Sequence, residues 1–210
     1  MEQFQHMYKL IPEQEKEKFK VTHLTMDEET IKRERMYAAF RGAESYGEVY
    51  GLEAGTYVCL RQNNGSMIMS DTWMEKKTNS EIVKKANGNV LIAGLGIGLI
   101  VLPIQEKNNV QSITIIEKEQ EIIDMITPYL PKSNKVKIIC ADIFTWQPEQ
   151  KYDTIYFDIW PGVCGDDYPE TKELHKKYRK SLNKDNPNWF MNSWRRNDMR
   201  KRHYDDREWN

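Results

Sequence analysis

The chain has 210 residues, enough for one domain with a full core. Hydrophobic side chains make up 39% and charged ones 30%, against about 25% charged in an average domain, which argues against disorder and against a membrane-spanning bundle. With 31 Lys and Arg against 32 Asp and Glu, a net charge of −1 exerts no overall pull toward nucleic acid. Cys59, Cys140 and Cys164 are odd in number, widely spaced and form no CxxC pair, so neither a disulfide framework nor a zinc ribbon is expected. The N-terminus has no apolar run fit for a signal peptide, and the apolar stretch Val90 to Ile104 is broken by glycines and Pro103. A cytoplasmic protein is expected.

In chain order, residues 1–20 are charged and poorly periodic and read as a peripheral arm. Thr25 with Glu28 reads as a capping box and Gly42 as a stop, which predicts a helix over about 26–41. Two apolar runs, Tyr57 to Leu60 and Met67 to Met69, flank Asn63-Asn64-Gly65 and predict a β-hairpin. A short helix over Thr78 to Ala86 is closed by Asn87-Gly88. From residue 89 the character changes: Val90 to Ala93, Ser112 to Ile116, Val136 to Cys140 and Asp153 to Phe157 are apolar or β-branched runs. Trp189 to Met191 makes a fifth. Helix-length segments separate the first three, which predicts βαβ units and a parallel sheet buried on both faces. The boundaries that follow are an arm and helix over 1–55, a hairpin and helix over 56–87, a Rossmann-like three-layer α/β/α domain over 88–194, and a charged tail over 195–210.

The chemistry concentrates at the ends of these strands. Gly94, Gly96 and Gly98 follow the first one, where a glycine turn exposes backbone N–H groups and lets a ligand come close. A dinucleotide fingerprint needs a small residue three places after Gly96; Leu99 stands there, which disfavours a nicotinamide cofactor. Glu117 ends the second strand, where a carboxylate can accept from both hydroxyls of a ribose. Asp142 follows the third strand and Asp158 ends the fourth. Three successive parallel strands thus deliver three carboxylates to one edge, beside the glycine turn.

On these residues, 89–158 resembles the class I S-adenosylmethionine-dependent methyltransferase core. The likeness lies in GLGIG, the acidic end at Glu117, ADIF around Asp142, and Asp158. From residue 56 the layout is most similar to spermidine synthases, which also place a hairpin and a short helix before the glycine strand. The resemblance implies S-adenosylmethionine as cofactor, its methionine part beside Gly94, Gly96 and Gly98, its ribose on Glu117 and its adenine amino group on Asp142. It implies a transferase, a methyltransferase of unnamed acceptor with Asp158 at the reacting group. An aminopropyltransferase relative and a catalytically silent nucleoside-binding protein are the alternatives.

Spermidine synthases carry D-x-x-D after the fourth strand, whereas here Asp158-Ile159-Trp160-Pro161 puts proline at the second acid. Few residues follow the fifth run, so a shortened sheet without a closing antiparallel hairpin is expected. Trp160 is a candidate to stack a flat substrate, and Asp166 or Asp167, in the loop Gly162 to Pro169, to face a substrate amine. Residues 172–202 hold eleven Lys and Arg against three acids, with Trp189 and Trp194 interleaved. Nucleic-acid binding there is the sharper reading and a solvated face the commoner one. The four histidines show no metal-ligand spacing, and oligomeric state stays open.

Overall fold

The computed structural model describes residues 4–131 and 133–208. Its first half is a four-stranded antiparallel sheet in the order β1-β2-β3-β4. The strands are β1 (Gln14–Glu15), β2 (Phe19–Met26), β3 (Gly55–Gln62) and β4 (Met67–Ser70). The hairpin of β3 and β4 turns at Asn63-Asn64-Gly65 as predicted, with Gly65 at φ +93°. β2 pairs with β3 along its whole length, from Phe19 opposite Gln62 to Met26 opposite Gly55, so one sheet spans the boundary expected at 55.

The arm expected over 1–20 is a correction. Phe4, Met7, Ile11 and Phe19 are buried in the main core, and residues 1–3 lie outside the described residues. These apolar residues are interspersed irregularly with polar ones such as Gln5, His6 and Lys9, so no local period announces them. Buried Asp71 fastens the segment, accepting from the backbone N–H of Met7 at 3.2 Å and of Val58 at 2.7 Å. The first helix also starts differently. α1 is Glu28–Arg41, and its cap is Asp27, whose Oδ1 accepts from Thr30 N–H at 2.8 Å. Thr25 belongs to β2, where its hydroxyl meets that of Thr56. The short helices α2 (Ala43–Val49), α3 (Trp73–Thr78) and α4 (Ser80–Lys85) lead into the second half.

That half is a five-stranded, wholly parallel sheet made of β5 (Gly88–Ala93), β6 (Val110–Glu117), β7 (Val136–Cys140), β8 (Thr154–Phe157) and β9 (Phe190–Ser193). The spatial order is β7-β6-β5-β8-β9. Val90 to Ala93 are fully buried, the signature of a strand covered on both faces. The chain steps outward from β5 to β7, then returns to the other side of β5. Right-handed connections therefore send α5 (Val101–Gln105) and α6 (Gln120–Ile126) to one face and α7 (Tyr168–Tyr178) to the other. The reversal between β5 and β8 leaves a crevice at their carboxyl ends, the usual ligand position in such sheets.

Trp189, expected in the last strand, precedes β9 and is exposed. The charged tail expected at 195–210 is also corrected: α8 (Arg196–Glu208) docks on the body through fully buried Met199. Gly165 lies so close to the backbone of Arg202 and His203 that a side chain there would collide, and Gly165 C=O lies 2.9 Å from His203 Nδ1. Among the described residues no helix is long and apolar enough to cross a membrane.

Candidate functional site

A cleft of about 430 Å³ opens over the carboxyl ends of β5, β6 and β8, with β4 and α3 along one wall. Gly94 and Gly96 line it at φ +95° and +51°, in the left-handed region that glycine tolerates. A side chain on Gly94 would strike the Asp158 carbonyl, and one on Gly96 would strike the Met69 thioether. Met69 caps the turn from β4, its Sδ accepting from Ile97 N–H at 3.2 Å. Gly98 differs from its two neighbours. It sits under Leu130, away from the cleft, and its missing side chain serves packing.

Glu117 stands at the end of β6, buried and facing the cleft. Its Oε2 accepts from Leu95 N–H at 2.8 Å and its Oε1 from Glu119 N–H at 2.9 Å. Each oxygen keeps lone-pair capacity for a further donor. The bond to Leu95 ties the carboxylate to the glycine turn, so the two make one surface. Asp142 stands beyond β7, with Oδ1 accepting from Phe144 N–H at 2.9 Å and Oδ2 3.2 Å from Lys118 Nζ. The Phe144 N–H chiefly, with Lys118, holds its carboxyl below the usual range against the opposing effect of burial. Ile116, Ile122, Ile143 and Phe144 supply an apolar wall between these acids.

Asp158 follows β8 at the switch point, and burial pushes its carboxyl up to about 7. Among the described residues its side chain accepts no hydrogen bond. Trp160 lines the cleft, but its Nε1–H is committed to Glu170 Oε2 at 2.9 Å, which fixes the loop against α7. Asp166 and Asp167 fall in the 3-10 turn Gly165–Asp167 and do not line the cleft. The structure therefore brings together Gly94, Gly96, Glu117, Asp142, Asp158 and Trp160, and leaves out Gly98, Asp166 and Asp167.

Three acids that line the cleft, Glu75, Glu119 and Glu170, went unseen in the sequence, and Glu75 of the helix wall is the most deeply set of them. Glu75 of α3 is only 7% exposed, yet it lines the cavity. Burial, reinforced by Asp158 and opposed by Arg195, pushes its carboxyl up to about 8. In the run Trp73-Met74-Glu75-Lys76-Lys77 it reads as a solvated charge between lysines, and only the packing of α3 turns it inward. Beside it, Arg195 has φ +44°, the sole non-glycine in the left-handed region among the described residues. Among those residues no group of three His, Cys, Asp or Glu is placed to hold a metal ion.

The cleft suits a nucleoside of the S-adenosylmethionine kind. Its volume lies within the 300–1,000 Å³ typical of small-molecule sites, and two glycines admit a ligand to the backbone. The Glu117 carboxylate stands one strand from that of Asp142, and both can accept further hydrogen bonds.

No protein-family model matches the chain. A polyamine aminopropyltransferase from Methanocaldococcus jannaschii is 30% identical over 105 residues, 46% of this chain and 36% of that protein. The chain thus spans little more than a third of that relative. Spermidine synthase from Thermotoga maritima aligns at 16% identity over 60% of this chain and 45% of that one, TM-score 0.45. The CcbJ methyltransferase from Streptomyces caelestis aligns at 17% over 52% and 45%, TM-score 0.41. The five-stranded parallel sheet with its order reversal is Rossmann-like, and the chain is similar in this part to S-adenosylmethionine-dependent methyltransferases and spermidine synthase.

Proposed function

We propose that the chain binds a sulfonium nucleoside of the S-adenosylmethionine type and transfers a group from it, with methyl transfer as the first reading. The supporting observation is the joint surface of Glu117 and the glycine turn, fastened by the Leu95 N–H and flanked by Asp142 on the next strand. When bound, the sulfonium supplies an electrophilic carbon and leaves as a neutral thioether. Gly94 and Gly96 admit the ligand to the backbone, Glu117 accepts from the ribose hydroxyls, and Asp142 receives the adenine amino group. Asp158, at the switch point, orients the acceptor and takes the proton it sheds. Trp160 and Trp194 line the cleft and exclude water.

A second reading, aminopropyl transfer, is favoured by the charge of the lining. Glu75, Glu117, Glu119, Asp142, Asp158 and Glu170 all line the cleft, and the basic side chain among the described lining residues, Lys118, is held 3.2 Å from Asp142. A methionine α-carboxylate meets repulsion there, and an aminopropyl donor carries none. Calorimetry with S-adenosylmethionine, its decarboxylated form, S-adenosylhomocysteine, methylthioadenosine and NAD tests both. Tighter binding of the decarboxylated form selects the second reading. Binding of NAD alone, or of none of the five, ends both.

A further inference from the structure

The glycine turn has few donors left for a ligand. Gly94 N–H donates to the Ile116 carbonyl at 2.9 Å, Leu95 N–H to Glu117 Oε2 at 2.8 Å and Gly98 N–H to the Leu95 carbonyl at 2.9 Å. The Ile97 N–H is taken by the Met69 thioether at 3.2 Å. Between Gly94 and Gly98, the Gly96 N–H alone has no partner among the described residues, and Gly96 lines the cleft.

An irregularity in β4 aims Met69 at this turn. Leu60 of β3 stands opposite Met69 and Arg61 opposite Met67, so Ile68 is an extra residue, a β-bulge. Consecutive side chains of a regular strand point to opposite faces, whereas Ile68 and Met69 both line the cleft. The Met69 sulfur fills the space that a side chain on Gly96 would need. It therefore covers the turn where glycine leaves the backbone open to a ligand. A thioether is a weak hydrogen-bond acceptor and a carboxylate a strong one. Turns of this kind bind anions through successive N–H groups, and Gly96 and Ile97 are the pair this turn has to offer.

We propose that Met69 is a specificity-determining residue of the cleft: it stands over Gly96 and holds the Ile97 N–H, so that a nucleoside with a carboxylate on its tail must displace it and one without leaves it in place. The inference deepens the transferase reading and rests on it. The cleft then ranks sulfur nucleosides by the tail that the sulfur carries, with the adenosine part on Glu117 and Asp142 in every case. The acids of the lining repel the same carboxylate, but they do so alike in every Met69 variant. A comparison among variants therefore isolates the thioether.

The test is calorimetry on the full chain with S-adenosylhomocysteine and its decarboxylated form, which differ only in the carboxylate. Met69→Ala opens the space and frees the Ile97 N–H. It is expected to shift the ratio of the two affinities toward S-adenosylhomocysteine by about tenfold or more, the effect of gaining a hydrogen bond to a charged group. Met69→Leu keeps the bulk while removing the acceptor, and its ratio is expected to stay at the parent value. Binding of the decarboxylated form reports a folded site in each variant. Met69→Val, shorter than methionine and favoured in strands, gives the same reading should the alanine variant fail to fold. A ratio unchanged in the shortened variants, or shifted as far in Met69→Leu, overturns the inference while leaving the transferase reading intact. A parent chain that binds neither nucleoside overturns that reading itself, and this inference with it.

Discussion

At the scale of single residues the cleft divides into acids that the protein has already satisfied and acids that it has not. Glu117 and Asp142 receive backbone N–H groups and sit ready to accept more. Glu117→Ala is expected to weaken nucleoside binding by about 1.5–3 kcal/mol, the range for hydrogen bonds to a charged group. Equal affinity in a folded variant removes Glu117 from the site. Gly96→Val places a branched side chain at φ +51° against Met69, and a folded variant that still binds would make the turn packing alone. Asp158→Asn keeps the shape and removes the charge. Turnover is expected to fall about 100-fold with nucleoside affinity unchanged, and unaltered turnover refutes its role.

The same two unpartnered acids set a pH dependence. In the folded chain burial first, and for Glu75 also Asp158, raises the Glu75 carboxyl to about 8; burial raises that of Asp158 to about 7, while the unfolded values are those of free carboxylates near 4. The folded state therefore holds more protons than the unfolded one between about pH 4 and 8, and stability falls as pH rises through that window. His175, lowered to about 4 by burial and then by Arg196, acts in the opposite sense and is lost as pH falls from about 6.5 toward 4. Chemical denaturation across pH 5 to 9 is expected to show a shallower decline in Glu75→Gln than in the parent. Parallel profiles would mean that Glu75 is not desolvated in solution.

At the scale of elements, short helices are held by what they pack against. Glycines that read alike in the sequence do different work: Gly94 and Gly96 shape the cleft, while Gly98 makes room for Leu130. Gly98→Ala is expected to cost about 1–3 kcal/mol of stability through overpacking, and a folded variant keeps nucleoside affinity. Gly96→Val loses binding instead, so the pair separates the two roles. α8 supplies the counterpart at the C-terminal end. Met199→Ala removes a fully buried side chain and is expected to destabilise the protein by about 2–5 kcal/mol. A loss below about 0.5 kcal/mol, the range of surface substitutions, would return the segment to a solvated tail.

For the whole molecule, the basic surplus over 172–202 looks different once folded. Lys177 Nζ donates to the carbonyls of Ile143, Phe144 and Trp146, Arg195 is engaged by two acids, and Arg196 lies over the Tyr168 ring. Charges used inside the fold are unavailable to phosphates. Any affinity for RNA or DNA is therefore expected to be weak near 0.15 M salt and to show a shallow log–log salt slope. A steep slope, reporting many phosphates contacted, would establish a nucleic-acid surface.

The second half of the fold was legible because parallel strands buried on both faces are written as continuous apolar runs, and because glycines and acids fall at their ends. The same rule places Glu117, Asp142 and Asp158 at one edge, since all strands of a parallel sheet end on the same side. The first half was legible at its hairpin, whose turn residues act locally, and at little else. Phe4, Met7 and Ile11 are core residues without a regular spacing, and β2 exists because β3 pairs with it. Glu75, Met69 and the engagement of Trp160 by Glu170 were decided by tertiary structure alone. Whether a side chain faces a cavity or water depends on the packing of its helix or strand against distant segments, and that information is nowhere local to the chain.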